Sequence, residues 1–341
     1  MLFRLHQLSA LILFSAIGLA LAAAPGRLPA QPAWFVLDGR LIRLDSPAPG
    51  EGPLTTSRIE VRTSQPVYEY LGVLNSGDLL VSLGTPTRLD SMISDRGVDI
   101  AVVTPDGELK EIVWPNAVRA YAAPAGNRIA IITLDYRLII KEGATVRTPP
   151  LDARVTLAAW SPDGSQLCVT GYPPDWTPHL AHNPPNTDEF LRLMNSDLWL
   201  VNVADDGAVR RLTDSPGFDY SGVFYPDGRR ILFISSRDGR GAFFRLSIET
   251  GETVKLTNHT PGSYDVPVGR SDSFLWAAQT GEWIYSAQEA DTGADSIRAL
   301  SSDGARCRLL GLGRQPRLTG QGAAVAFIAG NGKPAVVPLE R

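Results

Sequence analysis

The 341-residue sequence predicts an all-β fold: a six-bladed β-propeller of four-stranded antiparallel blades closed by N-terminal strands, with seven blades as the alternative. Three internal repeats predict it. "WSPDGSQLCVT", Trp160 to Thr170, returns as "FYPDGRRILFI", Phe224 to Ile234, and quieter copies carry Gly77, Gly126, Gly281 and Gly322. A second phrase of strand, glycine turn and strand follows each of the first five copies, as in "VTPDGELKEI" from Val103 and "IETGETVKLT" from Ile248. A third phrase joins units: Thr63, Thr213 and Thr257 stand seven residues before Tyr70, Tyr220 and Tyr264, each time with a proline between.

Taken from the N-terminus, Arg4, the apolar run Leu8 to Leu21 and the small-residue pattern Ala20-Leu21-Ala22 predict a signal peptide over 1–22. The protein is then exported, periplasmic or extracellular. The alternative is membrane anchoring by an uncleaved segment, since Leu8 to Ala24 reaches the lower limit of about 17 residues for a spanning helix. Residues 33–341 read as a single propeller domain. "WFVLDGRLIRLD", Trp34 to Asp45, is a further hairpin that leaves the blade count open. Thr56 to Thr63 matches a fourth-strand register and is expected to complete the last unit, beside Pro316–Thr319, Ala324–Ile328 and Ala335–Leu339.

Within a unit, Ser161-Pro162-Asp163-Gly164 has the residues a type I turn favours, because proline presets φ and serine bonds the backbone locally. Ile231 to Ser235 and Leu198 to Val203 are apolar on both faces, as strands covered by neighbours on either side must be. Two segments interrupt the repeat between second and third strands: an insertion at 84–97 and a longer one at 172–196. Propeller geometry puts both on the face of the Thr-to-Tyr connections, which makes that face the candidate binding surface.

The net charge of −4 and the absence of a basic run leave no footprint for nucleic acid. Cys168 and Cys307 fall in non-adjacent units, so two free thiols and no disulfide framework are expected. The stretch Arg211 to Thr257, with "AAWSPDGSQLCVT", resembles the repeat of TolB-like six-bladed propellers, shared with propeller domains of the prolyl oligopeptidase family. The resemblance covers the propeller only, and the N-terminal α/β domain of TolB is expected to be missing. It implies a fold rather than a peptidase: there is no G-x-S-x-G elbow, and His259 has no sequence-evident Ser or Asp partner.

Candidate partner-binding residues are Trp176, His179, His182, Asp188 and Glu189, in a proline-rich insertion whose prolines argue against regular helix. Trp176 is the candidate contact anchor, since exposed aromatics concentrate at interaction hot spots. His179 and His182, with Asp175 nearby, would suit a metal, but a surface loop is the preferred reading and no metal or other cofactor is assigned. The resemblance would set Glu69, Asp219 and Asp265 around the channel mouth, able to bind a cation or to make structural hydrogen bonds. No catalytic residue is assigned. The function expected is non-enzymatic: a protein- or peptide-binding or scaffolding module, in an envelope assembly. The alternatives are a metal-dependent, lyase-like carbohydrate-active enzyme, and an ion or small-molecule binder at the channel.

Overall fold

The computed structural model describes residues 32–339 except 46–54, 90–91, 125–126, 204–206, 240, 258–273, 290–291 and 320–321. The signal segment 1–22, Gly126, His259, Tyr264 and Asp265 therefore lie outside the described residues.

The chain is almost entirely strand. β1 (Ala33–Leu37), β2 (Arg40–Asp45) and β3 (Thr55–Ile59) form the first sheet. The second unit holds β4 (Val67–Val73) and β5 (Leu79–Leu83), then, past the small hairpin of β6 (Arg88–Leu89) and β7 (Met92–Ile93), β8 (Val98–Val103) and the first half of β9 (Leu109–Ala122). The second half of β9 opens the third unit, with β10 (Arg128–Thr133), β11 (Leu138–Glu142) and β12 (Thr145–Arg147). In the fourth unit, β13 (Arg154–Trp160) and β14 (Gln166–Tyr172) are parted from β15 (Asp197–Asn202) and β16 (Val209–Arg211) by helices α1 (Pro178–His182) and α2 (Thr187–Leu193). β17 (Asp219–Phe224), β18 (Arg230–Ser235), β19 (Ala242–Ser247) and β20 (Thr253–Lys255) make the fifth. The sixth has β21 (Leu275–Ala277), β22 (Glu282–Gln288), β23 (Asp295–Ser301) and the first half of β24 (Cys307–Thr319), whose second half begins the last unit with β25 (Ala324–Ala329) and β26 (Pro334–Pro338). All these pairings are antiparallel. β9 crosses from one unit to the next at Asn116, a residue with positive φ, whereas β24 crosses between Leu312 and Gly313 and its own positive-φ residue, Gln315, lies in a bulge against β25.

The units are held by apolar clusters between consecutive sheets. Cys168, Leu198 and Leu200 of the fourth meet Phe224, Ile231 and Phe233 of the fifth, and Tyr220, Leu232 and Phe243 of the fifth meet Trp283 and Tyr285 of the sixth. Similar clusters join the second to the third, the third to the fourth and the sixth to the last. The first sheet packs Trp34 and Leu41 against Val67 and Leu83 of the second unit, and Phe35, Ile42 and Leu44 against Ala326 and Ile328 of the last. This cyclic order is that of a β-propeller, and it explains strands buried on both faces: five of the six residues of β18 are buried.

The N-terminal strands depart from the expected closure. β3 pairs with β2 and not with β26, because Phe35, Ile42 and Leu44 give this hairpin an apolar face of its own. The first sheet also lies in an unexpected sense. Gln315 accepts from the Val36 N–H and donates to its carbonyl, both at 3.0 Å, while Arg317 donates to the Trp34 carbonyl. β1 thus runs opposite to β24, and side chains occupy the edge where an innermost strand would lie.

The repeated phrases are joints. In "SPDG" the Gly164 N–H bonds the Ser161 carbonyl at 2.9 Å, and the Asp163 carboxylate accepts from the Ser161 hydroxyl and from the hydroxyl and N–H of Ser165. "SSDG", Ser301 to Gly304, repeats the hydroxyl-to-carboxylate bond. Gly304 and Gly107 hold equivalent turns, and a Cβ on either would sit 2.4 Å from the Leu256 carbonyl oxygen or 2.3 Å from that of Glu60. Glycine is required there because the turn presses on the outer strand of the preceding unit. The recurrent threonine caps a ladder: Thr213 Oγ1 accepts from the Leu198 N–H and Thr257 Oγ1 from the Phe243 N–H. Cys168 is buried, Cys307 half-buried, and both are free.

Asp163 gives a pH prediction. The Ser161 hydroxyl, then the Ser165 N–H and hydroxyl, hold its carboxyl down at about 2, against roughly 3.9 in an unfolded chain. A depressed carboxyl stabilises the fold fully above the unfolded value, and the contribution vanishes as pH falls through the folded one. Asp163→Ala is therefore expected to melt lower than wild type at pH 6 and to converge with it near pH 2. A melting difference that did not shrink across that window would remove Asp163 as its source.

Candidate functional site

The two insertions meet above the third unit and form one platform. α1 starts where its prolines allow: Thr177 is the N-cap, its hydroxyl accepting from the Leu180 N–H at 3.1 Å, and Pro178 takes the first helical position, where no N–H is needed. Asn186 caps α2 by accepting from the Glu189 N–H at 2.9 Å, with Asp188 and Glu189 in the first turn and Arg192 in the last, as the helix dipole favours. The expectation that prolines exclude helix is corrected here, since they sit before and at helix starts rather than inside.

Trp176 is not an exposed anchor. It is 1% exposed, stacked on Tyr172 at 4.9 Å and edge-on to Tyr136 at 5.0 Å. Tyr136, at φ 61° in the turn between β10 and β11, donates its hydroxyl to the Ile93 carbonyl at 2.6 Å, joining the third unit to the 84–97 insertion. Burial pushes the Tyr136 and Tyr172 hydroxyls upward in pKa, so both stay protonated. Two units thus supply the aromatic support under the helices, and the second unit's insertion is tied to it through the Ile93 carbonyl.

The upper surface carries the charges. Arg192 bonds both oxygens of Asp175, at 3.0 and 2.6 Å, and both of Glu189, at 2.9 and 2.6 Å. Its guanidinium holds both carboxyls below their usual range. His179 Nε2 lies 3.0 Å from Asp95 Oδ1, the one predicted residue that bridges the insertions directly. His182 and Asp188 are exposed. Among the described residues no group of three or more His, Cys, Asp or Glu side chains could hold a metal. What the sequence reading missed is apolar: Leu180 is 39%, Phe190 41% and Leu191 61% exposed. The only signal was "EFLRL" inside a segment otherwise polar and proline-rich.

Of the channel-mouth candidates, Asp265 lies outside the described residues, and Glu69 and Asp219 each take an arginine. Glu69 on β4 and Arg119 on β9 are both buried, and their ion pair spans 2.9 Å. Asp219 is 1% exposed and takes Arg237 at 2.9 Å. Asp197, beside it, pairs with Arg211, yet its carboxyl is raised, first by burial and also by the nearby Asp219 charge. These carboxylates are consumed by arginines that tie strands together, so the structural role weighed for them is the one that the geometry fits.

No protein-family model matches the chain. The Tol-Pal system protein TolB of Wolinella succinogenes is 30% identical over 155 residues, 43% of this chain and 34% of that protein. TolB of Bordetella pertussis is 29% identical over 204 residues, 48% of this chain and 46% of that protein. The chain thus spans less than half the length of these curated relatives. Among solved structures, an oligogalacturonate lyase in complex with manganese superposes with a TM-score of 0.55 at 10% identity, over 90% of this chain and 84% of that one. Hydrazine synthase of Kuenenia stuttgartiensis gives 0.55 at 12% identity, over 88% and 90%. These two likenesses establish fold and nothing of activity. No described helix is long and apolar enough to cross a membrane. The cyclic packing and repeated turns are those of a β-propeller, and over the stretches given the chain is similar to the TolB proteins.

Proposed function

We propose that the chain is an exported, non-enzymatic propeller of seven units that binds a protein or peptide through the platform built by its two insertions. One observation carries this reading: Leu180, Phe190 and Leu191 stay exposed on a helix pair that is fastened from below by Trp176 and from above by Arg192. A monomer gains nothing by displaying three large apolar side chains together, and a rigid display loses little entropy on binding. Asp175, Asp188 and Glu189 outnumber Arg192, so the segment carries surplus negative charge and suits a partner that sets basic groups beside apolar ones. His179, His182, Asp188 and Glu189 would line the rim. The Tol-Pal names of the curated relatives support a partner within the cell envelope, and residues 1–22 would direct the export.

Leu191→Asp and Phe190→Asp are expected to weaken partner binding by roughly tenfold to a hundredfold, the value of burying one such side chain, with melting temperature unchanged for Leu191→Asp, which is 61% exposed, and lowered for Phe190→Asp, whose ring is more than half covered. Cross-linking of intact cells with each variant, scored against an Arg229→Ala control on the fifth unit, reads this out. Partners recovered equally by wild type and by a chain lacking Asp175 to Asn195 would end the proposal.

A further inference from the structure

The last sheet ends in β26, which pairs with β25 along one edge and with no described strand along the other. β26 is the third strand of its unit, and each preceding four-stranded unit covers that position with a fourth. An uncovered, untwisted edge offers N–H and C=O groups to any passing strand, and charged residues usually guard it. β26 reads Pro-Ala-Val-Val-Pro and carries no charge.

The register shows what guards it instead. The Leu339 N–H bonds the Ala323 carbonyl and the Ala329 N–H bonds the Lys333 carbonyl, so residues 333, 335, 337 and 339 turn their backbone groups toward β25. Residues 334, 336 and 338 turn theirs outward. Two of these three are prolines, without an N–H to give. The strand is also nearly palindromic about Val336, so two copies would meet antiparallel with Val336 opposite Val336 and Pro334 opposite Pro338. Of the six backbone bonds in such a pair, the four that need an N–H from Pro334 or Pro338 are lost, and only the two between the Val336 residues remain.

We propose that Pro334 and Pro338 keep β26 from pairing with β26 of a second copy of this chain, leaving the seam of the propeller monomeric. Analytical ultracentrifugation of the full exported chain tests it. Wild type is expected to sediment as a monomer at this edge, Pro334→Thr and Pro338→Thr singly to associate weakly, and the double variant to dimerise roughly a thousandfold more tightly than wild type, from four restored bonds. Adding Val336→Pro to the double variant is expected to return the monomer. Thermal melts confirm that each variant is folded. A folded double variant that stays monomeric overturns the proposal, as does a dimer that persists with Val336→Pro, or single variants that do not fall between wild type and double.

Discussion

Trp176→Ala is expected to release the platform while leaving the propeller folded. Truncating a buried tryptophan costs about 3–5 kcal/mol when the surroundings cannot collapse into the void, and here the ring is sandwiched between Tyr172 and Tyr136. The helices above have five and seven residues, too short to persist without tertiary support. Hydrogen exchange should therefore show lost protection across Ala181 to Leu193, with β18 and β22 protected as before. Trp176→Phe should behave close to wild type, since it keeps most of the ring and removes an indole N–H that has no acceptor among the described residues. Protection that stayed intact in the alanine variant would mean that Arg192 and the caps hold the helices without the aromatic support.

Glu69→Ala is expected to be strongly destabilising. Glu69 and Arg119 are 8% and 7% exposed and pair at 2.9 Å, so removing the carboxylate takes the ion-pair partner from a buried guanidinium, at a cost of about 3–5 kcal/mol. Arg119 also lies over the Tyr121 ring, which softens the loss without replacing the counter-charge. The double variant Glu69→Leu/Arg119→Met should recover most of the stability, because it removes both desolvation costs together. Urea denaturation of the two single variants and the double one decides the matter. A double variant no more stable than the worse single would show that the pair does more than neutralise itself.

Sequence reading went furthest where the same physical requirement recurs. Each unit needs the same turn between strands, so Gly164 and Gly228 announce themselves, and the lengths of the intervening segments expose the insertions at 84–97 and 172–196. What stayed illegible depends on distant neighbours. Trp176 in a proline-rich loop looks exposed until Tyr136, forty residues earlier in another unit, closes over it. The arginine partners of Glu69 and Asp219, Arg119 and Arg237, could not be read from the sequence, since one stands 50 residues away and the other 18. The strand Thr55–Ile59 has the register of a fourth strand and is one by position; only the sheet it joins was misassigned, because nothing in its side chains distinguishes β2 from β26 as a partner.

The clasp between Gln315 and Val36 joins residues separated by 279 positions. During synthesis, the N-terminal hairpin emerges long before the sheet it must lean on. Phe35, Ile42 and Leu44 then have no surface to cover them until Ala326 and Ile328 arrive. Completion of the circle is thus a late event of high contact order, slow relative to the local hairpins that precede it. Until the chain's final strands exist, the first sheet therefore waits with one apolar face uncovered, and the seam is the last part of the circle to be sealed.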